Sequence, residues 1–263
     1  MKSLLAGLFR PRQRSEPLNV VRLSAPQRPP LIYAIGDIHG CLEALLALEA
    51  QIIDDAHGVE GEKWLVYLGD YIDRGPQSAQ VVEHLLGPPP DGFKRICLRG
   101  NHEATLLAAL EDPVALQDWL TFGGDATLLS YGLDADRVDS LRYGGRASSR
   151  LQLVRAYIPD EHIRFFGELA SILVVPGYVF VHAGLRPGIA VAEQDAEDMI
   201  WIRDEFLDIA HDYGAVVVHG HTIAAEPELL SYRIGLDTGC FATGRLTALK
   251  IDAAGQLSVL TTS

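Results

Sequence analysis

A chain of 263 residues, 48% hydrophobic and 22% charged, has the make-up of an ordinary globular protein of one large domain or two small ones. Its 25 Gly, 14 Pro and 3 Cys exclude collagen-like and disulfide-rich secreted classes, and no run of 18 apolar residues offers a transmembrane helix. The net charge of −13 is unevenly spread: residues 1–30 hold six basic side chains and one acid, so the rest stands at −18 and should repel nucleic-acid backbones.

The chain opens with MKSLLAGLFRPRQR, an apolar stretch of about seven residues closed by arginines. A secretory signal needs a longer apolar stretch and a small-residue cleavage site. The expectation is a cytoplasmic protein without stable membrane insertion, its first residues a frayed tail rather than a membrane-surface helix. Cys41, Cys97 and Cys240 form no CxxC pair and fit three unpaired thiols in a reducing compartment. Residues 10–30 are rich in Pro, Arg, Gln and Ser and lack periodicity. Residues 1–30 therefore read as a flexible basic tail, and 31–263 as a single folded domain.

From Leu31 one pattern occurs three times: a short apolar strand, a polar turn, an amphipathic helix. LIYAI runs through GDIHG into CLEALLALEAQII, KWLVYL through GDYIDRG into SAQVVEHLL, and KRICL through RGNHE into ATLLAALE. Strands and helices alternating at this length predict βαβ units and a parallel sheet. Residues 104–170 carry a helical pattern punctuated by Gly123-Gly124 and Gly144-Gly145. SILVV and YVFVH then flank Pro176-Gly177, a hairpin signal, and AVVVHGH and LTALKID follow as further strands. Together they predict an α/β sandwich of two mixed sheets flanked by helices, with a helical insert around 104–170.

In such folds chemistry collects where strands end. Each predicted strand end here carries Asp, His or Asn. Asp37 and His39 are two apart and point to one side of an extended backbone. Asp70, Asn101, His182 and His221 close later strands. Any one of them alone reads as a helix cap, a turn residue or a half-buried imidazole. Six in a row read better as one cluster of metal-competent groups. His57, His84, His162 and His211 lack that context and are expected at surface or partly buried positions.

GDIHG, 28 residues, GDYIDRG, 24 residues and GNHE resemble the signature of the phosphoprotein phosphatase family of metal-dependent serine/threonine phosphatases, within the calcineurin-like metallophosphoesterases. HAGLRP at 182–187, GHT at 220–222 and DTG at 237–239 agree, and the resemblance spans about residues 31–251. WLTFGG near 119 and MIWIRD near 199 look like the bacterial and phage-type branch. Ile72 stands where the family has valine, a neutral departure.

The resemblance implies two divalent transition-metal ions, about 3.5–4 Å apart, with Asp70 bridging. Asp37, His39 and Asp70 would hold one; Asp70, Asn101, His182 and His221 the other. Mixed imidazole and oxygen ligands fit Mn, Fe or Zn better than Mg or Ca without choosing among the three, and Mn is the first expectation. A hydroxide between the ions would attack phosphorus in line. His102 would protonate the leaving group, oriented by Asp73. Arg74 and Arg203 match the family's phosphate-binding arginines. Arg99 and Arg186 read as structural, His219 as packing or as support behind the ligands, and Asp237 as support behind the ligands or a turn residue.

The function so implied is hydrolysis of phosphoserine and phosphothreonine, with phosphotyrosine left open, in phosphorylated protein or peptide partners, by a monomer. A dinucleoside polyphosphate hydrolase, such as one acting on diadenosine tetraphosphate, is the alternative. A non-catalytic binding module is a distant third, because none of the expected ligands is missing.

Overall fold

The structure, a computed structural model, describes residues 20–144 and 146–262. Strands β1 (Arg22–Ser24) and β2 (Leu31–Ile35) precede helix α1 (Leu42–Asp55). β3 (Lys63–Tyr67) leads to α2 (Ser78–Leu86), and β4 (Phe93–Cys97) to α3 (Asn101–Ala109). The insert comprises α4 (Pro113–Trp119), a wide π-type turn over Leu120–Gly124, α5 (Asp125–Ser130), α6 (Ala135–Tyr143), α7 (Ala147–Tyr157) and α8 (Asp160–Glu168). Then come β5 (Ile172–Val175), β6 (Tyr178–Val181), α9 (Ala196–Trp201), the short α10 (Asp204–Leu207) and β7 (Val216–His219). β8 (Glu228–Leu229), β9 (Arg233–Gly235), the short α11 (Cys240–Thr243), β10 (Thr247–Asp252) and β11 (Leu257–Thr261) finish the chain.

Two mixed sheets form, ordered β1-β5-β6-β7-β9-β8 and β11-β10-β2-β3-β4. Strand periodicity explains how they stack. Along β2, Ile32 and Ala34 face the inter-sheet core with Val66, Ile96, Phe180 and Val218. Leu31, Tyr33 and Ile35 face the other way, onto Leu45, Leu48 and Ile52 of α1. On the far side Val179, Val181 and Val217 pack against Met199, Ile202 and Phe206. The layers are thus helix, sheet, sheet, helix, as the sequence pattern predicts.

β2, β3 and β4 are parallel, as are β6, β7 and β9, so both sheets send strand ends to one edge. The hairpin at Pro176-Gly177 forms in register from Ile172 opposite Val181. The insert packs through Leu116, Trp119, Leu128, Val138, Leu141, Val154 and Phe166 onto the core around α1 and α2. Asp112 caps α4 by accepting from the Val114 amide, with Pro113 pre-set at the first helical position.

Two expectations need correction. The body starts before Leu31: β1 pairs in parallel with β5, and the Arg22 guanidinium donates to the Gln194 carbonyl at 2.7 Å. Three residues show no readable period, and only pairing with a distant strand makes them a strand. Residues 1–19 lie outside the described residues. His162, expected at a surface or partly buried position, is buried, between the Tyr131 hydroxyl at 2.7 Å and Glu83 at 3.2 Å.

Candidate metal centre

The loops after β2, β3, β4, β6 and β7 meet above the shared sheet edge and bury Asp37, His39, Asp70, Asn101, His182 and His221. Two groups lie close enough to hold an ion: His39, Asp70 and His102, and Asp70, His182 and His221. Asp70 belongs to both. Asp37 stands beside them, both its carboxylate oxygens accepting from the His221 amide at 3.1 Å.

The backbone is strained at this place. Among the described residues, the non-glycines with positive φ are His39, Asp70, Asp73, Arg74 and His221. Each costs on the order of 1–3 kcal/mol and persists only if its surroundings hold it. They do so here through the amides. His39 N–H donates to the Asp70 carbonyl, Asp70 N–H to Glu103, Asp73 N–H to Thr127, Arg74 N–H to the Gly123 carbonyl, and His221 N–H to Asp37. Two motif glycines provide room. A Cβ on Gly100 would lie 2.0 Å from Asp70 Oδ1, and one on Gly220 2.0 Å from Asp37 Oδ1.

The donor atoms fit cations. His182 Nδ1 donates to the Leu68 carbonyl at 2.9 Å, which leaves a lone pair on Nε2. That lone pair faces Asn101 Oδ1 at 2.9 Å, His221 Nδ1 at 3.2 Å and Asp70 Oδ1 at 3.4 Å. Four acceptors converge there, and Asn101 Nδ2 and His221 Nε2 are buried without a protein partner. His39 likewise gives its Nδ1 proton to the Ile72 carbonyl at 2.8 Å and turns Nε2 inward, 3.6 Å from Asp70 Oδ2. Ligating histidines are commonly held in this way, the second nitrogen tied to a carbonyl or carboxylate.

Proton affinities register the same crowding. Burial and then Asp237 push Asp37 well above the usual carboxylate range, and burial and then Asp70 push Glu103 up to about 7. Burial alone would raise Asp70 too, but His182, His102 and His39 outweigh it and hold it well below its ordinary value. For His182, burial is outweighed by Asp70, Asp37 and Glu103, and the imidazole rises to about 9. Burial lowers His39 to about 3. Buried carboxyls pushed toward protonation beside a buried imidazole pushed toward its charged form make a crowded site that divalent cations would relieve.

Beside this set, His102 Nδ1 bonds Asp73 Oδ2 at 2.6 Å, while Nε2 is buried without a hydrogen-bond partner 3.8 Å from Asp70. Asp73 is held by the Trp119 indole N–H at 2.9 Å and the Thr127 hydroxyl at 2.6 Å. Phe122 stacks on the His102 ring at 4.1 Å. Arg74 donates to His39 Nε2 at 3.0 Å, and Arg203 is exposed, donating to the Thr222 hydroxyl at 3.2 Å. Arg186 is paired in two-pronged fashion with Asp198, and Arg99 donates to the Gly167 carbonyl at 2.8 Å. His219 packs its ring edge on Phe206, and Asp237 accepts from the Gly239 amide at 2.9 Å.

Sequence reading missed several residues that matter here. The Glu103 carboxylate takes the amides of Asp70, Tyr71 and Gly100 at 2.8–3.0 Å, joining the second polar turn to the third. Its signal was the last letter of GNHE. Trp119 and Phe122 lie in WLTFGG, a segment with no role assigned, and Thr127 has no sequence signal.

Known proteins resemble this chain along most of its length. The asymmetrical bis(5′-nucleosyl)-tetraphosphatase of Bacillus subtilis is 28% identical over 247 residues, covering 86% of this chain and 92% of its own length. The enzyme of the same name from Anoxybacillus flavithermus is 26% identical over 248 residues, covering 87% and 93%. A solved structure described as a candidate diadenosine tetraphosphatase superposes with a TM-score of 0.60 at 21% identity, covering 93% of this chain and 99% of that one. Residues 30–225 match the calcineurin-like phosphoesterase model, and the chain belongs to that family.

Proposed function

We propose that this protein is an asymmetrical dinucleoside tetraphosphatase, cleaving diadenosine tetraphosphate or a close analogue at a phosphate next to a nucleoside. The observation that carries the reading is that relatives of that name align along nearly the whole chain and nearly their whole own length. The order expected from motifs, protein phosphatase first, is therefore reversed. The physical reason is that GDYIDRG and GNHE build the ligand turns and the His102–Asp73 pair. Those parts act on the phosphoryl group, which both substrate classes share.

Asp37, His39 and Asp70 would hold one divalent ion, and Asp70, Asn101, His182 and His221 the other. When bound, the ions supply positive charge against phosphoryl oxygens and make a water nucleophilic at neutral pH. Mixed imidazole and oxygen donors suit Mn, Fe or Zn better than Mg or Ca, and Mn is the first ion to test. Arg74, beside His39, and Arg203, beside Thr222, clamp the phosphate oxygens by charge-assisted hydrogen bonds. His102 holds a proton at Nε2 for the leaving oxygen, and Asp73 fixes the ring from Nδ1. Trp119 and Thr127 in turn hold the carboxylate still.

The test compares Mn-loaded protein on diadenosine tetraphosphate and on a phosphoserine peptide. The expected result is a higher kcat/KM for the dinucleotide, with ATP and AMP as products. Two ADP would indicate the symmetrical reaction, and faster peptide cleavage would restore the protein-phosphatase reading. Parallel loading with Fe or Zn tests the metal assignment.

A further inference from the structure

Three aromatic rings from three separate segments stand around the ligand set. Phe122 comes from the wide turn of the insert, Trp201 from the end of α9 and Phe241 from α11. Phe122 stacks on His102, and Trp201 stands edge-on to His221 at 6.1 Å and 5.8 Å from Phe122. Those two rings are half-buried and lean on the catalytic machinery. Phe241 differs. It is 37% exposed, and the residues after it, Ala242, Thr243 and Gly244, are small and exposed. Ile223, 51% exposed, packs close by against Gly239.

Phe241 also touches both groups that locate the phosphate. Its ring is 5.4 Å from that of His39, edge to face, and the Arg74 guanidinium lies 4.7 Å from its centroid. A phosphate gripped by Arg74 beside His39 therefore has an open aromatic surface on its outward side.

From this placement we infer that Phe241 is a stacking platform for the nucleobase attached to the phosphate under attack. This rests on the dinucleoside reading and adds to it how the substrate is chosen. A base has an apolar face that an exposed ring receives without sequence-type readout, and such contacts are worth a measurable share of affinity. It also bears on where the chain is cut. The ring adjoins Arg74 and His39 directly, so a base resting on it belongs to the reacting phosphate and not to one further along the chain. That favours release of AMP.

The experiment uses ligands that differ only in the base: AMP and ribose 5-phosphate, as competitive inhibitors of the Mn-loaded full chain. The wild type should bind AMP about ten-fold more tightly than ribose 5-phosphate. Phe241→Leu should bring the two inhibition constants together, and Phe241→Trp should restore the gap. The ratio is read within each variant, so a general loss through Arg74 cancels. Equal ratios in wild type and Phe241→Leu would overturn the inference while leaving dinucleotide hydrolysis intact. A wild type that cleaves glycerol phosphate but not diadenosine tetraphosphate would overturn the functional reading and this inference together. A preference for phosphotyrosine over phosphoserine peptide that Phe241→Leu abolishes, with an AMP ratio near one, would give the ring to a phenol instead.

Discussion

The ligand turns and the rim around them are built by different rules. The turns are rigid by construction: five strained backbone positions each have a captured amide, and two glycines let carboxylates approach to a distance no side chain would permit. The rim is assembled from remote pieces. Phe122 arrives from the helical insert, Trp201 from beyond the hairpin, and Phe241 from the short helix α11. The inner part addresses phosphoryl groups in general, and the outer part meets whatever carries them. That difference explains why motif matching reaches the family and its phosphoester chemistry but leaves the substrate to the rim.

Substitutions in the ligand turns and at the rim should act differently. The largest effect should come from His102→Asn, with kcat lower by about 10²–10⁴-fold and bound metal unchanged. His102 Nε2 shares a potential ion position with His39 and Asp70, so loss of metal in this variant would make it a ligand instead of an acid. Glu103→Gln keeps the shape but turns an amide group toward the N–H groups of Asp70, Tyr71 and Gly100. Metal affinity should fall about 10–100-fold, read by competition with a chelating indicator. An unchanged affinity would mean that the strained turn at Asp70 holds itself.

At the rim the effects should be smaller and should fall on binding. Arg203→Ala should raise KM for the phosphate ester about ten-fold, the scale of one hydrogen bond to a charged group, with less change in kcat. A fall in kcat alone would move Arg203 into the chemical step. The smallest effect concerns stability. Burial lowers His219 to about 4, below its ordinary 6.5, so the folded state prefers the neutral ring. Its contribution is complete above pH 6.5 and is lost as pH falls from there through about 4. Denaturant unfolding at pH 7 and pH 5 should show a larger loss for the wild type than for His219→Gln. Equal losses would assign the acid sensitivity to other groups.

Much of the centre was legible before any coordinates. Asp37, His39, Asp70, Asn101, His182 and His221 each follow an apolar strand, and parallel strands carry their ends to one edge. The pairing of His102 with Asp73 could be read from motif position alone. Glu103 was within a recognised motif yet had no role, because its partners are backbone amides, which no side-chain pattern announces. Thr127 sits 54 residues from Asp73 and bonds it through a hydroxyl common on any helix. β1 was missed for a related reason: Arg22–Ser24 becomes a strand only against β5, 150 residues away.

By itself, then, the sequence determined the layered α/β architecture, the identity of the metal-competent groups and the chemistry they suit. Those follow from local rules: period-two burial, helix spacing, and residue types with fixed donor atoms. The tertiary structure alone brings Trp119 and Thr127 onto Asp73, the Glu103 carboxylate onto the amides of the neighbouring turns, and the exposed Phe241 ring beside Arg74 and His39. These depend on contacts between segments far apart in the chain, where a Trp, Thr or Phe acquires its role from its neighbours and not from its position in a motif.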